Sequence, residues 1–163
     1  MRKLTMCVAA AAAGALLAVS ATAASAADTT GWQSTHTDPF EFAAGALCPF
    51  GLKGEILYDN EFTRAYQNIE EFTGPLGIRF RNVATGRTVD RDITAFIRVL
   101  HQTDGSREFE MWGNSVAPIY PGTGPHPGDY LTHGHFVFVV HADKSREYTV
   151  RQGTSEDVCK TLA

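Results

Sequence analysis

Cysteine is nearly absent from this sequence: there are three in 163 residues, and one of them, Cys7, falls inside the N-terminal apolar run. No Cys-x-x-Cys pair occurs, which removes the zinc-ribbon and thioredoxin-type readings. Basic runs are missing as well. Lys and Arg number 14 against 18 Asp and Glu, a formal charge of −4. That balance argues against nucleic acid, whose binding needs clustered cations to displace counterions. Beyond the first 27 residues no apolar stretch is long enough to cross a bilayer. There is no Gly-x-Ser-x-Gly elbow, and no glycine loop leads from a strand into a helix. Serine nucleophile chemistry and a phosphate cradle are therefore unsupported.

What is present begins with an address. Arg2 and Lys3 precede an alanine-dominated apolar run over residues 6–19, and small residues follow as far as Ala27. This is the order of regions in a secretory signal peptide, and Ala24-Ser25-Ala26 or Ser25-Ala26-Ala27 satisfies signal peptidase. A membrane anchor would need ~20 apolar residues without so early a small, polar segment. Cys7 has too little apolar sequence ahead of it to accept a lipid. The reading is a signal peptide over residues 1–27, cleaved near Ala26-Ala27, and a secreted, extracellular chain. With 27 of 163 residues removed, 136 remain, and losing two basic residues takes the charge from −4 to −6. That length supports one domain with a real core. Residues 28–46 are small, polar and aperiodic, a loose lead-in; residues 47–163 form a single β domain.

Only Cys48 and Cys159 survive cleavage. In an exported chain, two cysteines near the two ends of the ordered part read as one structural disulfide. They lie 111 positions apart, a loop whose closure stabilises by roughly 4–5 kcal/mol on chain-entropy grounds. The alternative, free thiols or metal ligands, lacks any ligand spacing.

After Cys48 the hydrophobic period is two. Leu76, Ile78 and Phe80 share one parity; Ile93, Ile97 and Val99 another; Phe109 and Met111, then Phe136, Phe138 and Val140, continue the pattern. Alternation of this kind sets one row on a core face and the other toward water. Thr85-Gly86, Asp104-Gly105 and residues 142–145 supply hairpin turns. The stretch 60–67 is a weaker strand. Thr154-Ser155-Glu156-Asp157 reads as a cap and acidic first turn, ahead of a short C-terminal helix or turn. The fold class is all-β, an antiparallel meander of about seven or eight strands in a sandwich or flattened barrel. Phe96, Leu100, Trp112, Val116, Val137 and Val139 put apolar groups on the second face too, and intramolecular cover by a second layer is the simpler account.

His133 and His135 are two apart and share a strand face, the geometry of a metal-chelating pair. Cupin barrels add a glutamate four or five positions on; here those positions hold Val139 and Val140. Glu108 and Glu110 share a face near the spacing of glycosidase carboxylates, but a solvated strand face explains them more simply. The Pro/Gly-rich stretch 118–128 reads as a rigid loop carrying His126, with Trp112, Tyr120 and Tyr130 around it as an aromatic binding surface.

Three functions follow. The first is a non-catalytic extracellular binding or interaction module using the loop and its aromatics, with no cofactor, no nucleic acid and an extracellular ligand or protein as partner. The second is a lipocalin-like or cyclase-like barrel, with Phe80, Ile97, Met111, Phe136 and Phe138 lining a hollow for a small apolar ligand. The third is a metal-dependent enzyme at His133 and His135.

Cys48-Pro49-Phe50 at the first strand, Asn82-Val83-Ala84-Thr85-Gly86 at a hairpin and Asp157-Val158-Cys159-x-x-Leu162-Ala163 at the end resemble a family of small secreted actinobacterial proteins of uncharacterised function. The resemblance implies an antiparallel β domain with a first-to-last cysteine bridge. It carries over no active site.

Overall fold

A computed structural model describes residues 29–163; the signal-peptide reading and its cleavage point lie outside the described residues. The described chain holds strands β1 (Thr29–Thr35), β2 (Phe40–Phe42), β3 (Leu52–Asp59), β4 (Glu61–Tyr66), β5 (Ile69–Gly74) and β6 (Leu76–Asn82). There follow β7 (Thr88–Asp92), β8 (Ala95–His101), β9 (Arg107–Ile119), β10 (Gly128–Val140), β11 (Arg146–Asp157) and helix α1 (Val158–Leu162). They form two antiparallel sheets, β1-β4-β5-β8-β9-β10-β11 and β2-β3-β6-β7. The fold is an all-β sandwich. No pairing among the described residues closes either sheet into a barrel.

The three hairpin turns read from sequence join β6 to β7, β8 to β9 and β10 to β11. The antiparallel meander is divided between the two sheets: the chain crosses between them four times before β8 to β11 run on as neighbours. The apolar run 89–99 is not one strand. Asp92 Oδ1 accepts from the Thr94 amide at 2.8 Å and turns the chain there, while the Ile93 amide reaches back to the Leu76 carbonyl at 2.7 Å. β7 therefore stays in the small sheet and β8 enters the large one. Part of the expected lead-in, 28–46, is also strand. β1 pairs with β4, and β2 pairs with β3, where Phe40 packs 6.1 Å from Phe80. The helix starts later than its sequence signal, because Thr154 to Asp157 stay paired with β10. Asp157 is the N-cap, its carboxylate accepting from the Lys160 amide at 3.2 Å, and the first turn carries no acid.

One core cluster joins Leu52, Ile78 and Phe80 of the small sheet to Val158 and Leu162 of α1, all at most 2 % exposed. Cys48 and Cys159 are bonded within it, their Cα atoms 5.3 Å apart, well inside the range a disulfide spans. The three segments that carried the resemblance meet here. Buried Asn82 donates from Nδ2 to the Leu162 carbonyl at 3.0 Å, and its Oδ1 accepts from the amides of Ala84 and Thr85. Arg87 donates to the Ala163 carbonyl, and the Val83 amide to that of Gly51.

The second cluster, Met111, Ala117, Ile119, Phe136, Phe138 and Val140, requires the large sheet to bend. In a straight ladder Ile119 would stand ~26 Å from Met111, the register partner of Phe136, yet Ile119 and Phe136 line one cavity. The bend is where Gly113 and Gly134 face each other across β9 and β10 with φ of 100° and 127°. A Cβ on Gly113 would sit 2.8 Å from the Thr94 carbonyl oxygen, and one on Gly134 2.3 Å from that of Gln152. Only glycine allows that approach and that backbone.

Candidate functional site

The bend brings the loop over residues 120–127 against the β10–β11 hairpin and leaves a cup of about 320 Å³ between them. His126, Tyr130, Phe136, Tyr148, Arg151 and Lys160 are among its walls. His126 sits between two prolines with φ 55°, a left-handed backbone that costs a non-glycine residue about 1–2 kcal/mol. Tyr130 holds it there: the phenol donates to the His126 carbonyl at 2.8 Å. The Tyr130 and Tyr148 rings meet edge to face at 6.4 Å, and Phe136 stands 5.9 Å from Tyr148, geometry favoured by the ring quadrupoles. The Arg151 guanidinium lies 5.0 Å from the Tyr148 ring. Lys160 reaches Asp157 at 3.2 Å.

The electrostatics suit binding better than proton transfer. Burial, then the Asp157 charge, raises the Tyr130 phenol; burial, then Asp129, carries Tyr148 far above the ordinary phenol range. Both hydroxyls remain neutral at physiological pH, their protons directed to the His126 and Ala117 carbonyls and their lone pairs left to accept. Ser155 is the hydroxyl on the wall, and no histidine or carboxylate is hydrogen-bonded to it among the described residues. The arrangement offers aromatic faces, accepting phenol oxygens and two cations, without a nucleophile–base pair among the described residues. Just behind it Asp129 is 2 % exposed. Burial first, and Asp157 second, push its carboxyl up to about 7.

The four residues proposed from sequence do not form one surface. His126 and Tyr130 share the cup. Tyr120 stands at the edge of the first core, 6.2 Å from Phe42 and beneath the Arg146 guanidinium at 4.2 Å. Trp112 lies on the far face of the large sheet, stacked on His135 at 5.1 Å and packed 5.5 Å from Phe96. Phe96 and Trp112 on that face shield each other, with Arg98 laid within 6.0 Å of both rings, whereas Val116 is covered by the first core. Alongside, Glu71 is 1 % exposed and receives Arg64, Arg98 and Tyr66. Burial pulls its carboxyl upward, but those hydrogen bonds outweigh it and hold the group below its usual range.

His133 and His135 follow one parity, yet each has its own partner. His133 Nδ1 is 2.6 Å from Asn114 Oδ1, and His135 Nε2 is 3.2 Å from Glu110. Among the described residues no three His, Cys, Asp or Glu side chains converge as a metal site would require. Glu110 is half-buried in its pairing with His135 and Arg98. Tyr148, Arg151 and Lys160 escaped the sequence reading, since Tyr148 and Arg151 of β11 reach the loop only through the bend and Lys160 of α1 only through the pairing of Asp157 with Tyr130. No helix of the described residues is long and apolar enough to cross a membrane. In comparisons with known proteins, no family model, no curated protein and no solved structure matches this chain.

Proposed function

We propose that this protein is secreted after cleavage near Ala26-Ala27 and acts outside the cell as a non-catalytic binding module. Its ligand site is the cup beneath the loop over residues 120–127. The carrying observation is the convergence of two edge-to-face phenols with Arg151 and Lys160 under a loop that Tyr130 pins by its hydroxyl. Aromatic faces with accepting phenol oxygens suit sugar rings and their hydroxyls, and the two cations suit carboxylates. The class to test first is an extracellular glycan bearing uronic or similar acids. The disulfide and the absence of a membrane-spanning helix in the described residues fit this setting.

Calorimetric titration with soluble acidic and neutral cell-wall oligosaccharides checks it. Arg151→Ala should weaken binding of the acidic ligand by about tenfold or more, the worth of one charge-assisted hydrogen bond. Trp112→Ala, on the opposite face, should leave it unchanged. A folded wild-type protein that binds none of the panel, or an Arg151→Ala variant that binds as wild type does, would sink the reading.

A further inference from the structure

A second cavity has Phe138 and Ala117 among its lining residues and shares none with the cup. It measures about 290 Å³ and its floor is apolar: Phe72, Ile97, Phe109, Met111 and Phe138 on four adjacent strands. Phe72, Ile97 and Val116 also border a neighbouring cavity of about 230 Å³ that runs on toward Ile78 and Ile93 between the sheets. A dry cavity of roughly 150 Å³ accommodates one benzene ring, so the pair has room for an extended apolar body.

Two arginines flank the larger cavity, Arg107 and Arg146. In the same protein Arg64, Arg79, Arg91 and Arg98 are each bound to a carboxylate. Arg107 and Arg146 make no ion pair among the described residues. Arg146 is held flat on the Tyr120 ring at 4.2 Å and donates from Nη1 to the Pro118 carbonyl at 2.8 Å; its Nε is buried with no acceptor. Arg107 rests 5.6 Å from the Phe109 ring. Two carboxylates lie near these cavities and each has its own partner: Glu70, opposite Val99, is 3.5 Å from His101, and Glu61, which lines the neighbouring cavity, accepts from the Thr37 hydroxyl at 2.6 Å. Apolar surface bounded by two unneutralised guanidiniums is complementary to one kind of molecule.

We infer that this cleft binds an amphiphile with an apolar chain and an anionic head, the chain along Phe72, Ile97 and Met111 and the head at Arg107 and Arg146. A carboxylate and a phosphate monoester present the same acceptor oxygens to a guanidinium fork. The site is separate from the cup and does not depend on its ligand.

The experiment titrates the protein with dodecanoate and dodecyl phosphate below their micelle concentrations and with dodecanol below its solubility limit, followed by calorimetry. Either anion should bind about tenfold or more tightly than the alcohol; the better of the two assigns the head as a fatty-acid or a lipid-phosphate type. Arg107→Gln changes an exposed side chain and should lower anion affinity toward that of dodecanol, and Arg146→Gln should do the same. Should Arg146→Gln unfold, Arg107→Gln still decides. Val99→Trp, filling the cleft, should abolish binding of all three, while Arg151→Ala in the cup changes nothing. The inference is overturned if the anions bind no better than dodecanol, if none of the three binds, or if Arg107→Gln is without effect.

Discussion

Two buried carboxyls, Glu71 and Asp129, behave in opposite ways as pH changes. Glu71 is buried but met by Arg64, Arg98 and Tyr66, so its pKa in the fold is depressed. Its stabilisation is present above the unfolded value and lost as pH falls through the folded one. Asp129 is buried with no hydrogen-bond donor among the described residues, and its carboxyl is raised to about 7. The folded state then binds the proton more tightly than the unfolded chain, so stability declines as pH rises from about 4 toward 7 and levels off above. Asp129→Asn should remove that decline. Urea unfolding of both proteins between pH 4.5 and 8 should give curves that diverge with rising pH, by on the order of 3–4 kcal/mol at pH 8, where three pKa units would be lost. Parallel curves would mean that Asp129 is solvated in the fold.

Among the elements, β9 and β10 do the most to create both cavities, and they do so by bending at paired glycines. Gly134→Ala places a methyl group 2.3 Å from the Gln152 carbonyl oxygen at a φ of 127°. The chain must either open the pairing of β10 with β11 or straighten. A loss of stability of about 2 kcal/mol or more is expected from the strained backbone and the close contact together, read from the urea midpoint. Gly105, in the β8–β9 turn, meets nothing within 4 Å; Gly105→Asn, a residue that tolerates positive φ, should change stability by less than about 0.5 kcal/mol. Equal effects at the two positions would show that the bend is not under geometric constraint.

At the scale of the whole molecule, the two sheets are held by few polar ties. Arg91 of β7 grips Glu156 of β11 with two bonds of 2.8 Å, and the Cys48–Cys159 bridge closes a loop of 111 residues. Replacing both cysteines by alanine should cost about 2–5 kcal/mol. Thermal unfolding with and without reductant checks this: wild type in reductant should approach the double variant, and the variant should ignore it. A reductant-insensitive wild type would show the bridge unformed.

Much of this architecture was legible in the chain as written. Alternation at period two identifies strands because side chains on a pleated backbone point to opposite faces in turn. Asp104-Gly105 and Thr85-Gly86 mark turns because those residues accept positive φ at little cost. The cysteine pair followed from the reading of the leader. Each of these is a local or compositional property, carried within a few residues. Local pattern did not reveal which sheet each strand joins. Val89 and Ile97 share a parity and a run, but the Asp92 carboxylate, accepting from the Thr94 amide, turns the chain and sends them to different layers. Nor could spacing place Tyr148 and Arg151 beside His126, or Arg146 beside Tyr120. Those neighbours meet because two glycines paired across strands let the sheet roll back on itself, and such a meeting exists only once the long-range hydrogen-bond register has formed.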